Sequence, residues 1–111
     1  MIIRKNKNLF VGFSNEFQST SLQGYITIHY SDLVNKLGLP NGFRKNEEGA
    51  KMDAEWRVFT PFGVGTIYNY KNGKNYLGEE GLNRQDIVDW HIGGQNGETA
   101  KCIINELLTN N

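Results

Sequence analysis

Met52-Asp53-Ala54-Glu55-Trp56-Arg57-Val58 alternates apolar and polar side chains with a period of two, and Val64 to Tyr70 resumes the β-rich composition after Thr60-Pro61-Phe62-Gly63. A period of two places Met52, Ala54, Trp56 and Val58 on one face of a strand and Asp53, Glu55 and Arg57 on the other. Proline and glycine stand where a type I turn favours them. Residues 52–70 therefore read as a β-hairpin with Trp56 in the core and Asp53, Glu55 and Arg57 directed away from it. A one-residue slip of register would invert that face.

Working outward, Tyr25 to His29 and Ile87 to Ile92 read as further strands, and Leu9 to Phe13 as a weaker one. Ala100, Ile103, Ile104, Leu107 and Leu108 recur at helical spacing, which predicts a carboxy-terminal helix over about 97–108 with Glu98 in its first turn. A shorter helix is expected over 31–37. Ser31 is its capping residue, Leu33, Val34 and Leu37 form its apolar face, Gly38 takes the left-handed position after it, Leu39 folds back on Val34, and Pro40 stops it. The order β-β-α-β-β-β-α predicts an α+β fold: a small antiparallel sheet with both helices packed on one face. The stretches 41–51 and 71–85 read as long polar loops, a class that often carries function. Asparagine clusters at 69–75; an AT-rich genome and the turn preference of Asn account for it.

The chain has 111 residues, of which 38% are hydrophobic, so residues 1–111 are expected to form a single domain around one modest core. Twelve basic and twelve acidic side chains cancel. A non-specific nucleic-acid binder carries a basic excess, so that class is set aside. The apolar runs are too short for a membrane helix or a signal peptide. With one cysteine, no internal disulfide framework or Cys-based zinc site is expected. Together these features lead us to expect a soluble protein of the cytosol. Cys102 falls opposite the predicted stripe of its helix and is expected to be an exposed, unreactive thiol.

Asp89-Trp90-His91 puts a carboxylate and an imidazole on one face of a strand, an arrangement that can orient a general base. No Gly-x-Ser-x-Gly elbow or other placed nucleophile completes it, so a small hydrolase using Asp89 and His91 is the least favoured class. His29, His91, Asp53 and Glu55 match no metal-ligand spacing, so neither a metal nor a cofactor is expected. Trp90-His91-Ile92-Gly93-Gly94-Gln95-Asn96-Gly97 runs from a strand through glycines into a helix. Gly93, Gly94, Asn96 and Gly97 would there present backbone N–H groups to a phosphate, with Tyr68, Tyr70, Trp90 or His91 against a base. Ordinary turn chemistry is the favoured explanation of the glycines, and Glu98 would repel an anion. In the loop 71–85, Tyr76, Leu77 and Leu82 stand among Lys71, Lys74, Glu79 and Glu80, either anchoring the loop or presenting a contact patch to a partner.

The motifs Met52-Asp53-Ala54-Glu55-Trp56, Thr66-Ile67-Tyr68-Asn69-Tyr70-Lys71 and Asp89-Trp90-His91-Ile92-Gly93-Gly94 resemble small proteins encoded by bacteriophages and other mobile elements, over roughly residues 23 to 95. The resemblance implies no assigned chemistry. It implies instead the habit of small accessory phage proteins, which bind and disable a host system such as a CRISPR effector or cyclic-nucleotide signalling. The leading expectation is a non-enzymatic, stoichiometric binder of a host protein. The alternative is a protein that sequesters a linear or cyclic nucleotide. A homodimer is also open to it, because the edges of a small sheet need pairing or blocking.

Overall fold

A computed structural model describes residues 8–42 and 49–109. Five strands form one antiparallel sheet: β1 (Phe10–Val11), β2 (Ser21–Thr27), β3 (Glu55–Thr60), β4 (Gly63–Tyr68) and β5 (Asp89–Gly94), in the spatial order β1-β3-β4-β5-β2. Helix α1 (Tyr30–Leu37) follows β2, the one-turn α2 (Lys74–Leu77) lies in the long connection to β5, and α3 (Gly97–Leu108) ends the fold. The chain is thus α+β in the expected order. Most of the expected 41–51 loop, residues 43–48, lies outside the described residues.

Register fixes the two faces. Trp56 pairs with Ile67 and Ile67 with Ile92, while Ile26 pairs with Trp90. These side chains share the face covered by α1 and α3 and form the core with Leu33, Ala54, Val58, Ile103 and Leu107. Trp56 is fully buried, in edge contact with Trp90 at 5.4 Å, and its indole N–H donates to the Gly38 carbonyl at 2.9 Å. Tyr30 of α1 lies against both indoles. The hairpin register read from the sequence is therefore the one adopted.

Several local expectations are corrected. Strand β3 starts at Glu55, not Met52, because the N–H groups of Asp53 and Ala54 donate to the Asn69 side-chain oxygen at 2.6 and 3.0 Å instead of to a neighbouring strand. Asp53 is not on the solvent side: it is 6% exposed and hydrogen-bonded. Glu55 and Arg57 do occupy the opposite face from Trp56, joined at 2.8 Å. His29, not Ser31, is the residue before α1, and it makes no side-chain cap. Gly38 does adopt a left-handed φ of 84° with its N–H on the Val34 carbonyl, but Leu39 stays exposed and does not fold back. Strand β2 begins four residues earlier than expected, and β5 runs from Asp89 to Gly94, so Gly93 and Gly94 are strand residues. The segment 71–85 is not a plain loop, since it holds α2 and the 3₁₀ turns Gly78–Glu80 and Arg84–Asp86.

Helix α3 spans the expected residues but buries a different arc: Thr99, Ala100, Cys102, Ile103 and Leu107, with Leu108 exposed. Three glycines on the core face explain the rotation. A Cβ at Gly65 would lie 2.5 Å from the Ile103 side chain, and Thr99 lies within 3.4 Å of the Cβ positions of Gly63, Gly65 and Gly94. The helix seats Thr99 and Ile103 in this trough, which turns Cys102 inward to the side of the core. Cys102 is therefore 9% exposed, contrary to the expectation of a surface thiol. Burial, and then the Glu106 carboxylate, push its pKa up. Thiol labelling of the native protein is expected to be slow and to become fast in denaturant; rapid native labelling would contradict this seating of α3.

Candidate functional site

Among the described residues no α-helix covers the second face of the sheet. The 3₁₀ turn Asn15–Ser19 covers one corner of it, where Phe17 meets Phe59 edge-on at 5.5 Å. The rest presents Glu55, Arg57, Thr66, Tyr68, His91, Asp89, Tyr25 and Thr27, as alternation from the core pairs requires.

At its centre is His91. Tyr25, Tyr68 and Tyr70 surround the imidazole with ring centroids at 4.9, 5.4 and 5.3 Å. Tyr25 reaches it because Tyr25 and His91 are directly opposite on β2 and β5, and Tyr68 because it faces His91 on β4. Burial holds the His91 pKa below its ordinary value of 6.5, so the ring is neutral at pH 7. Tyr68 is pushed above its ordinary value, first by burial, then by Glu55 and by the neighbouring hydroxyls of Tyr70 and Tyr25. The result is an uncharged aromatic cluster with phenol groups at its surface, and Tyr25 is 66% exposed. Large exposed apolar side chains grouped in this way mark interaction surfaces.

Lys71 extends the cluster. Its ammonium lies 5.2 Å from the centre of the Tyr70 ring and 5.4 Å from that of Tyr76, within the range of cation–π attraction. Lys71 is the sole non-glycine residue with positive φ among those described, at 60°, and its N–H donates to the Lys51 carbonyl. The left-handed conformation is uncommon for a side-chain-bearing residue. It turns the chain between Tyr70 and α2 and brings the ammonium between the two rings. Residues that the sequence divides into a loop patch and a nucleotide site, Tyr76 with Lys71 and Tyr70 with Tyr68 and His91, thus form one strip.

The loop carrying Lys71 and Tyr76 is fixed from below. The Asp53 carboxylate accepts from the Asn69 amide at 2.9 Å and from the Asn75 backbone N–H at 3.2 Å. Asn69 also donates to Asn72, and Asn75 to the Met52 carbonyl. Gly73 is required here, since a Cβ on it would collide with Asp53. The asparagines of 69–75 are more than compositional bias: Asn69 and Asn75 are buried and satisfied. The pairing of Asp53 with this cluster is the feature that sequence reasoning missed, and the signal available was a lone acidic residue just ahead of a strand.

Other sequence candidates lie elsewhere. Trp90 is fully buried on the core face and has no surface on which to stack a base. Gly93 lies beneath Thr66, whose hydroxyl is 2.5 Å from where its Cβ would be, and Gly94 packs under Thr99. Asn96 caps α3 with its own side chain, accepting from the Thr99 N–H at 2.9 Å, so that N–H is already satisfied. Gly97 is the first residue of α3. Gly94 is three residues from His91 along β5, about 10 Å away. Gly93 does lie beside the tyrosines, its Cβ position 3.5 Å from the Tyr68 ring, whereas Gly94, Asn96 and Gly97 lead away from them into α3. Asp89 accepts from the Thr27 hydroxyl at 3.3 Å, while the neighbours of His91 are tyrosine rings. His29 stands before α1, Asp53 is in the buried network and Glu55 pairs with Arg57. Among the described residues no three His, Cys, Asp or Glu side chains converge as metal ligands. Leu77 and Leu82 are about half exposed, and Glu79 and Glu80 lie on the 3₁₀ turn after α2 together with Gly78. Lys74 opens α2 and borders a cleft with Leu82 and Arg84.

Next to the strip, a groove of about 700 Å³ runs between the Asn15–Ser19 turn and the sheet, lined by Phe13, Phe17, Gln18, Glu55, Arg57 and Thr66 among others. It is open to solvent, and Glu55 on its wall pairs with Tyr68 across the hairpin. Among the described residues no helix is long and apolar enough to cross a membrane. No protein-family model, curated protein or solved structure matches this chain.

Proposed function

We propose that the protein is a non-enzymatic binder that acts stoichiometrically through the open face of its sheet, and that its partner is a host protein. The observation that carries this reading is the continuous strip from Tyr76 through Lys71 and Tyr70 to His91, Tyr68 and Tyr25. Tyrosine supplies large contact area with few rotatable bonds, and exposed tyrosine clusters with a cation at the edge are typical of binding hot spots. The strip joins six side chains on an open surface, which favours a macromolecule. The phage-type motifs put a bacterial defence component, such as a CRISPR effector, first among partners, and with it the host cytosol as the place of action.

The test is capture from a bacterial lysate on immobilised protein, with a Tyr25→Ala/Tyr70→Ala double variant alongside. A stoichiometric protein partner is expected on the native chain. Loss of two anchors of this kind weakens binding by about 30-fold or more, enough to lose it from the variant. Capture of no partner, or equal capture by the variant, would overturn the reading.

A second reading keeps the same residues. Three rings around a neutral imidazole also form a platform on which a base stacks, with Lys71 positioned for a phosphate. Sequestration of a linear or cyclic nucleotide then replaces protein binding. A ligand bound by the folded state alone raises the melting temperature, so thermal-shift screening against nucleotides separates the two.

A further inference from the structure

The two edges of the sheet differ in kind. Strand β1 is two residues long, and such a short edge offers little to another strand. Strand β2 is seven residues long and lies at the other edge. Ser21-Leu22-Gln23-Gly24-Tyr25-Ile26-Thr27 contains no charged residue and no proline, the side chains that usually block an edge. A bulge between Leu22 and Gly24 disturbs its first half, whereas Gly24 to Thr27 pairs regularly with β5.

The hydrogen-bond direction along that regular half follows from one bond. The Ile28 N–H donates to the Val88 carbonyl at 2.8 Å, so Ile28 points its main-chain groups inward, toward β5. Bonded and non-bonded pairs alternate in an antiparallel ladder. Gly24 and Ile26 therefore also bond inward, opposite Ile92 and Trp90. The N–H and C=O groups of Tyr25 and Thr27 point out of the sheet. Both residues are exposed.

We propose that β2 is the contact of a symmetric homodimer in which two copies pair β2 against β2, antiparallel, about a two-fold axis beside Ile26. Tyr25 of one copy exchanges both main-chain hydrogen bonds with Thr27 of the second copy, and the reverse pair follows by symmetry. Several observations select a second copy as the occupant. An antiparallel pairing of identical strands satisfies itself: the outward groups of Tyr25 and Thr27 in both copies are used, and the assembly closes at two. The alternative of β2 against β1 would grow open-ended, and β1 is too short to hold it. The chain has no net charge to hold copies apart. The two-fold axis stands perpendicular to the sheet, so both open faces lie on the same side. Tyr25 of each copy then meets at the centre of one joint surface flanked by the two His91 clusters. This goes beyond the binding function proposed above and stands or falls separately from it.

The outward direction of the Thr27 N–H provides a selective test. Proline at position 27 deletes that donor and leaves every main-chain bond from β2 to β5 in place, at the cost of the exposed side-chain bond from the Thr27 hydroxyl to Asp89, and the residue before a proline favours the extended backbone that Ile26 already has. Sedimentation or light scattering of the native chain is expected to give a mass approaching twice 12.6 kDa as concentration rises toward about 1 mM. The Thr27→Pro variant, with unchanged circular dichroism, is expected to remain at the single-chain mass. Independently of any variant, amide exchange at Tyr25 and Thr27 is expected to slow as concentration rises, while exchange at Gly24 and Ile26 does not change. A native chain that stays monomeric throughout, a dimer that survives Thr27→Pro, or Tyr25 and Thr27 amides that exchange fast within the dimer would each overturn the proposal.

Discussion

Replacement of Trp56 by alanine is expected to lower the unfolding free energy by about 3–5 kcal/mol, the range for removing a buried aromatic from a packed core. Total stabilities of domains are about 5–15 kcal/mol, so this one change brings the protein close to unfolding at 25 °C. The physical reason is position. Trp56 joins three parts of the molecule: its ring meets Trp90 of β5 and Tyr30 of α1, and its N–H holds the Gly38 carbonyl at the end of that helix. Trp56→Phe separates the contributions. It keeps most of the packing and leaves the Gly38 carbonyl without its donor, which costs about 1–3 kcal/mol. Urea unfolding of the three proteins measures both. A loss below about 1 kcal/mol for Trp56→Ala would mean that the indole is not in the core, and the hairpin register would fall with it.

Asp53→Ala is expected to cost about 3 kcal/mol, which is large for a residue at the start of a strand. Its carboxylate receives the Asn69 amide and the Asn75 N–H in a buried setting. Each buried donor left without an acceptor costs about 1–3 kcal/mol. The effect should be local as well as global. Amide protection at Asn75 and along α2 should fall, because the carboxylate fixes the start of that helix, and the hold on Tyr76 should loosen with it. Denaturant unfolding combined with hydrogen exchange reads both. If protection across 72–77 is unchanged, the carboxylate does not position the loop. The same variant bears on function, since Lys71 and Tyr76 reach the aromatic strip from that loop.

Much of the architecture was legible because it depends on local periodicity. The alternation at 52–58 with a turn at 60–63 specified a hairpin and its buried face, and the spacing of Ala100, Ile103 and Leu107 specified α3 with its boundaries. The left-handed Gly38 after α1 was legible for the same reason, since its conformation is set by its immediate neighbours. The candidate site was legible in fragments. Tyr68, Tyr70, His91, Lys71 and Tyr76 were each singled out, but they were assigned to two separate sites. In the sequence Tyr25 is only one residue of an alternating strand. Its place beside His91 depends on β2 crossing to pair with β5, a contact between residues 66 positions apart that no local pattern encodes.

By itself, then, the sequence determined the class of fold, the order of elements and which face of the central hairpin is apolar, because propensity and side-chain period act over a few residues. The tertiary structure alone decided the rest. It rotated α3 so that Cys102 faces inward, because the trough at Gly63, Gly65 and Gly94 admits Thr99 and Ile103 at close range and offers Leu108 no such seat. It drew Asp53 into the interior, because Asn69 and Asn75 supply hydrogen bonds from across the hairpin and the loop. It also gathered three tyrosines around one histidine on the uncovered face. In each case the deciding energy comes from a partner distant in sequence, and that partner exists only once the strands have been placed in order.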